Sequence, residues 1–413
     1  MTAPTTTFQL LSLDGLRAAD PLLGLALLII AAVVFSESLH RAWKLPRACG
    51  HMLMGAVAGP LMLNLLERTE LDPWKPLVDL AIGALLFELG SRIRPRWLLD
   101  NPSLAMSCVL QAVLCGVLAT FALMALGAPP LSAAIAGAVA ASTSPVITLS
   151  VVHETAARGQ VTERLLLMTV VNSVIAVLVL KALRVALASD APSDGASAGM
   201  LQTLVRSLGT VSGSFLLGLA SGYALDRLSP WIRGTPTMTV LQIALLIATS
   251  QLAAYWTLSP LLTLLIAGMT ARARMSHHLT VEPLLGSAGA ALNVLLFISL
   301  GVLFSLEGFA RVWPWALAII AARLVGAALA LAVLARPSGL GWRQTAALGL
   351  ALQPMSSLAV LMAADTYGWA GQLSGIDTRT LQALMVATML MQFSGPLWTQ
   401  LALRRMAREC DGH

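Results

Sequence analysis

The sequence predicts an all-α, polytopic membrane protein of about 13 transmembrane helices, with an inverted repeat and two crossing broken helices. Three observations predict it. The 413 residues are 57% hydrophobic and only 11% charged, less than half the usual soluble share. Apolar stretches of about 20 residues, the helical length that crosses a bilayer core, follow one another with short charged hinges between them. Blocks of sequence also recur at an offset of 209–210 residues. The first two observations exclude soluble, secreted, fibrous and disordered classes.

Taken in order, the spans are 21–39, 48–66, 76–91, 102–126, 131–153, 162–188, 201–224, 238–257, 259–273, 284–305, 313–335, 343–366 and 380–403. The third and ninth are short, and the eighth and ninth fit one bent hairpin as well as two helices. This divides the chain into an extracytoplasmic N-terminus (1–20), a first six-helix repeat (21–200), a linker helix (201–224), a second six-helix repeat (225–403) and a short cytoplasmic tail (404–413).

Charge sets the orientation. Connections after odd-numbered spans hold 17 Lys and Arg residues, from Arg41 to Arg408, and the other side holds five: Arg17, Arg68, Lys75, Arg311 and Arg379. The N-terminus is expected outside and the C-terminus in the cytoplasm, which an odd number of spans requires. The net charge of +6 is therefore a topology signal, and with three tyrosines and no basic run interleaved with aromatics, no nucleic-acid partner is expected. Arginine outnumbers lysine 23 to 3, a bias expected of a GC-rich bacterial genome, and the expected location is the bacterial inner membrane. Cys49, Cys108, Cys115 and Cys410 show no metal-ligand spacing, and Cys108 and Cys115 read as buried thiols on one helix. No basic region precedes the first apolar run, so no cleavable signal peptide is expected.

The repeat is visible in three places. His51–Gly59 matches Pro260–Gly268, Leu85-Leu86-Phe87 matches Leu295-Leu296-Phe297, and Pro145 of span 5 matches Pro354 of span 12. An offset of seven helices is odd, so the second copy runs the opposite way through the bilayer. That is the inverted-repeat architecture of secondary transporters. Gly209/Gly213 and Gly218/Gly222 give linker span 7 two small-xxx-small pairs, expected to serve tight packing.

In such architectures the binding site lies where broken helices meet at midplane. Span 5 carries Ser142-Thr143-Ser144-Pro145, and span 12 carries Gln353-Pro354-Met355-Ser356-Ser357. Each proline removes a backbone hydrogen bond and disfavours helix in the residue before it. The candidate helix breaks are Pro145 and Pro354, and the candidate ion or substrate residues are Thr143, Ser144, Asn172, Ser173, Arg323, Gln353 and Ser356. An arginine at this depth must face protein or water. Neutralising the negative ends of half-helices and a direct transport role are equally open to Arg323.

The other acids are expected at helix ends. Glu37–Arg41, Lys75–Asp79 and Glu88–Arg92 read as interfacial i,i+4 ion pairs in preference to ion-relay groups, Asp365 as the outer end of span 12, and Asp226 as a loop residue. His153-Glu154 starts like a zinc motif, but position 157 is Ala, so no metal site or cofactor is expected. No nucleophile–base set and no phosphate loop is present, so no enzyme activity is expected.

Residues 141–180, ASTSPVITLSVVHETAARGQVTERLLLMTVVNSVIAVLVL, resemble helices four to six of the monovalent cation:proton antiporters, especially their second bacterial branch. LLFELGSRIRPRWLL, SLGVLFSLEGF, AARLVGAAL and LGLALQPMSSLAVLMA are similar to further segments of that family, in the same order. The resemblance implies a core domain of helices 4–6 and 11–13 and a dimerising panel of helices 1–3 and 8–10. It also implies a homodimer working by elevator-type alternating access in the lipid bilayer, with a monovalent cation and a proton as partners.

One departure stands out. Family members carry Asp-Asp or Asn-Asp in helix 6, and the second Asp binds both cation and proton; here the pair is Asn172-Ser173. Arg323 falls near the helix where relatives carry a Lys or Arg that pairs with that Asp, so a carboxylate at 173 is expected to sit opposite it. Three readings stay open: a cation transporter using hydroxyls and carbonyls, an anion-handling carrier using Arg323, and a non-transporting member.

Overall fold

In the computed structural model, the described residues are 21–63, 75–93, 97, 100–189, 196–232, 235–274, 286–303, 309–335, 337–356 and 377–410. The principal helices are α1 (Pro21–Trp43), α2 (Arg47–Ala58), α3 (Lys75–Arg92), α4 (Pro102–Ala125), α5a (Pro130–Ala140), α5b (Pro145–Thr155), α6 (Gln160–Ser189), α7 (Ala196–Leu228), α8 (Thr235–Tyr255), α9 (Pro260–Arg274), α10 (Gly286–Val302), α11 (Phe309–Leu334), α12 (Trp342–Ala351) and α13 (Thr378–Leu401). They fall on the thirteen predicted spans, with α5a and α5b sharing the fifth. No strand occurs among the described residues.

Proline places many of these starts. Pro102, Pro130 and Pro145 each occupy the first turn of a helix, where the missing N–H would be unpaired anyway. The second span is shorter than expected, because Gly59-Pro60 ends α2 at Ala58. Spans 8 and 9 are two separate helices rather than one bent hairpin. Asp226 lies in the last turn of α7 rather than in a loop, and accepts from Arg274 Nε at 3.0 Å. Residues 357–366 of span 12, with Ser357 and Asp365, lie outside the described residues.

Among the described residues, seven helices are long and apolar enough to cross a membrane. The burial pattern is that of a chain solvated by lipid. Met106, Val109, Val113, Val117 and Phe121 form an exposed apolar stripe on α4, while Gln111 on the same helix is buried.

The described residues form two compact units. The first spans residues 1–82 and 286–307 and holds α1, α2, α10 and the start of α3. Within it, Gly55 and Gly59 let α2 lie against the α10 backbone at Ile298 and Val302, and Gly301 lies against the Met52 carbonyl. Leu28, Ala32, Ala58, Ile298 and Val302 form its apolar core.

The second unit holds residues 83–285 and 308–413. Within it, Gly268 lets α9 lie on the Phe87 carbonyl, and Gly90 lets α3 lie on the Leu265 carbonyl. The glycine-mediated pairs, second span with tenth and ninth with third, correspond to each other under a seven-helix offset. Gly326 gives α11 the same intimacy with the α4 backbone at Cys115. Three of the linker glycines, Gly213, Gly218 and Gly222, seat α7 on residues 258–271 as expected; Gly209 has nothing within 4 Å. Helices α8 and α9 share this unit with α4–α6 and α11–α13, unlike the core and panel division. The physical reason is α7, which packs on both α6 and α9. An apolar core joins α4, α5a, α11 and α13 around Ala119, Ile135, Ile319 and Ala387.

Candidate functional site

The fifth span is interrupted from Ala141 to Ser144, and the twelfth leaves helical geometry after Ala351. The two breaks meet. Thr143 Oγ1 donates to the Leu352 carbonyl at 3.2 Å, and the Ser144 backbone N–H donates to the Pro354 carbonyl at 2.7 Å. The Ser144 hydroxyl accepts from Ile147 N at 3.4 Å and so caps α5b.

Arg323 projects from α11 into this crossing and is 1% exposed. Its Nη1 donates to the carbonyls of Ala140 and of Ser142, the latter at 2.8 Å. Its Nη2 donates to the carbonyls of Leu352 at 3.1 Å and Gln353 at 3.0 Å. All four terminal N–H groups are thus used on the C-terminal ends of α5a and α12, and Nε finds no partner among the described residues. Each helix end carries about half a negative charge, so two of them offset one guanidinium without any carboxylate. Burying an unpaired arginine would cost several kcal/mol; here the paired carbonyls and dipoles compensate.

Asn172 and Ser173, on α6, complete the crossing from the other side. Asn172 Nδ2 donates to Gln111 Oε1 at 2.6 Å and to Thr143 Oγ1 at 3.2 Å. Ser173 Oγ lies 2.9 Å from the carbonyls of both Thr143 and Thr169. Gln353 Nε2 turns back to the Gly349 carbonyl at 2.7 Å. Two acceptors remain: Asn172 Oδ1 and Gln353 Oε1 are buried with no hydrogen-bond partner. Ser356 is buried just beyond the second break.

The structure therefore gathers the predicted residues at one crossing, with one correction. Ser173 and Arg323 do not hydrogen-bond to each other. Ser173 binds the carbonyl of Thr143, and Arg323 that of Ser142, one residue earlier. Sequence reasoning missed Gln111 and Cys115 on α4, which anchor Asn172 and the Arg323 backbone respectively. A glutamine in mid-span, costly in lipid unless paired, was the available signal for the first.

A family model described as "Sodium/hydrogen exchanger, transmembrane" matches residues 25–405. The chain belongs to this family. Its fold is similar to that of the sodium proton antiporter MjNhaP1 from Methanocaldococcus jannaschii in two solved structures. The structure at pH 8 gives a TM-score of 0.67 at 13% identity, covering 94% of this chain and 98% of that one. An electron-microscopy map gives 0.71 at 12% identity, covering 96% and 100%. No curated protein sequence matches. This sodium/hydrogen exchanger family member is thus a multi-pass membrane protein with the antiporter fold, from a family of secondary transporters.

Proposed function

We propose that the protein is a cation:proton antiporter whose ion site is built from neutral oxygens in place of the helix-6 carboxylate. The observation that carries the reading is the imbalance of groups at the crossing. Asn172 Oδ1 and Gln353 Oε1 are buried acceptors without donors, while every terminal N–H of Arg323 is already spent on carbonyls. Spare acceptors suit a partly dehydrated monovalent cation. An anion would need donors, and the arginine has none to turn toward it beyond Nε.

The rest of the reading has separate supports. Two six-helix repeats at 21–200 and 225–403, linked by 201–224, accord with the paired glycine contacts of α2 with α10 and α9 with α3. The excess of arginine on one side supports an extracytoplasmic N-terminus and a cytoplasmic C-terminus in a bacterial inner membrane. Homodimerisation rests on the family resemblance.

The test is transport by purified protein in proteoliposomes, with an internal pH dye and successive pulses of sodium, potassium, lithium and small anions. Cation-driven proton movement that weakens in Asn172→Ala and Gln353→Ala supports the reading. Flux of anions alone, or of no ion, overturns it.

A further inference from the structure

A transporter without an acid at its crossing needs another group to hold the proton. Thr143, Ser144, Asn172, Ser173, Gln353 and Ser356 do not titrate in the working range, and Arg323 keeps its charge.

A compact titratable cluster lies elsewhere in the second unit. Glu88 and Arg92 stand on the last turns of α3, and His153 on the last turn of α5b. His153 Nε2 lies 2.7 Å from Glu88 Oε1 and 2.7 Å from Arg92 Nη2, while Arg92 Nη2 lies 2.9 Å from the same Glu88 oxygen. These three atoms form a closed triangle. One is an obligate acceptor, one an obligate donor, and the imidazole nitrogen can be either but not both.

That geometry makes the triangle sensitive to one proton. With Nε2 bare, the nitrogen accepts from Arg92, and its lone pair faces the Glu88 oxygen. With Nε2 protonated, it donates to Glu88, and its N–H faces that of Arg92. Either state leaves one side repulsive, so whether Nε2 carries a proton, by tautomer or by net uptake, sets which partner His153 holds; only the imidazolium adds charge. The bare cluster, with a neutral imidazole, has a net charge of zero; the imidazolium makes it +1. The Glu88 side chain is 7% exposed and that of His153 24%, so the acid is shielded while the imidazole is partly accessible.

Among the described residues, other ionisable groups also stand near α5b. Its own helix adds Glu154, α6 begins with Glu163 and Arg164, and the tail sets Cys410 against Thr155 with Arg404 and Glu409 beside it, while the only ionisable residue of α13 is Arg379 at its far end. Position matters as much as chemistry. His153 is eight residues from Pro145, about 12 Å along a rigid half-helix from the crossing. Glu88 and Arg92 belong to α3, which is locked to α9 through Gly90 and Gly268. The triangle thus ties the half-helix that forms the ion site to a different helix pair.

We propose that Glu88 and His153 form the proton-binding site of this transporter, with Arg92 as the internal cation that the proton displaces. The inference rests on the reading of the crossing as a cation site. When His153 is protonated, α5b is held to Glu88 and the positive cluster disfavours a cation at the crossing. When it is bare, Arg92 neutralises Glu88 and the crossing accepts the cation.

The experiment uses full-length protein in proteoliposomes. It follows exchange of labelled sodium and potassium from pH 5.5 to 8.5, together with proton release on cation addition in weak buffer. The variants are His153→Gln, whose amide can meet both Glu88 and Arg92 without titrating, and Glu88→Gln as the second, conservative change. In the wild type the apparent cation affinity should weaken toward acid pH, by up to about tenfold per pH unit for one competing proton. Both variants should flatten that slope and release no proton. If the wild type exchanges no cation, the crossing is not a cation site, and this inference falls with it. If the wild type exchanges cations and either folded variant keeps the full slope and proton release, the crossing reading stands and the Glu88–His153 assignment is overturned.

Discussion

Thr143 donates its hydroxyl to the carbonyl of Leu352 across 209 positions, the same offset that relates the matching blocks of sequence. Two positions that are mates under a two-fold relation can touch only on its axis. The crossing therefore lies where the two copies meet. Ser144 N–H and the Pro354 carbonyl, one and two residues further on, extend the same seam. A site on this seam draws its walls from both copies, so displacement of either half-helix is felt by the other.

Arg323 should be indispensable to the fold before it is relevant to transport. Arg323→Met leaves the carbonyls of Ala140, Ser142, Leu352 and Gln353 without its donors, and two helix ends without a counter-charge. The expected loss is about 3–5 kcal/mol, as for other buried charges stripped of a partner. Arg323→Lys should recover only part, because an ammonium has three donors and no planar fork. Thermal unfolding in detergent measures both. A methionine variant that melts with the wild type would remove the capping argument.

Ser173 offers a sharper test, because two carbonyls face its oxygen. Ser173→Ala deletes a donor whose loss the helix partly absorbs. Ser173→Asp puts an acceptor against two acceptors, and Arg323 has no terminal N–H left to meet it. The expected order of melting temperature is wild type, then Ala, then Asp, with the carboxylate costing about 1–3 kcal/mol. A Ser173→Asp protein as stable as the wild type would mean that a cation or a proton does reach that oxygen.

Much of this was legible in the sequence, for identifiable reasons. Pro145 and Pro354 mark the breaks because proline's geometry is local. The spans were legible because lipid demands apolar length. Arg323 had two roles open from sequence, and the four carbonyls favour the neutralising one; a carbonyl carries no sequence signal, so only the fold could show where they converge. The pairing of Glu88 with Arg92 was an i,i+4 reading, but His153 lies 65 positions from Glu88 on another helix and no periodicity links them. The tail at 404–413 read as a short appendage because nothing in its composition says what it touches.

Glycine contacts give a contrast within one helix class. A methyl group at Gly268 would strike the Phe87 carbonyl, whereas at Gly209 it would meet nothing within 4 Å. Gly268→Ala should destabilise by about 1–3 kcal/mol through forced separation of α9 from α3. Gly209→Ala should stabilise by about 0.5–1 kcal/mol, since an exposed helical glycine carries only its entropic cost. Denaturation of the two variants side by side tests this, and equal effects would contradict the packing described.

The tail supplies the last prediction. Gly159 precedes α6 and has no side chain to cap it, yet the first turn is not left open. The Glu409 carboxylate accepts from Val161 N at 2.7 Å, Thr162 N at 2.8 Å and Thr162 Oγ1 at 2.9 Å, and its backbone carbonyl accepts from Arg158 N at 2.8 Å. A negative group at a helix N-terminus also meets the positive end of its dipole. Losing this cap in Glu409→Ala should cost about 1–2 kcal/mol. Gly159→Ala should do the same from the other side, because its Cβ would collide with the Glu409 carboxylate. The neighbouring Cys410 reports the event. Burial pushes its thiol above the ordinary cysteine range, so near neutral pH it stays protonated and alkylates slowly, speeding up as pH rises. Freed from the latch, it should approach an ordinary exposed thiol and react about tenfold faster or more at pH 8. Cys49, Cys108 and Cys115 are buried inside α2 and α4 and serve as internal references. Mass spectrometry of iodoacetamide-treated protein over time separates the four sites. Unchanged Cys410 kinetics in both variants would mean that Glu409 does not hold the tail against α6.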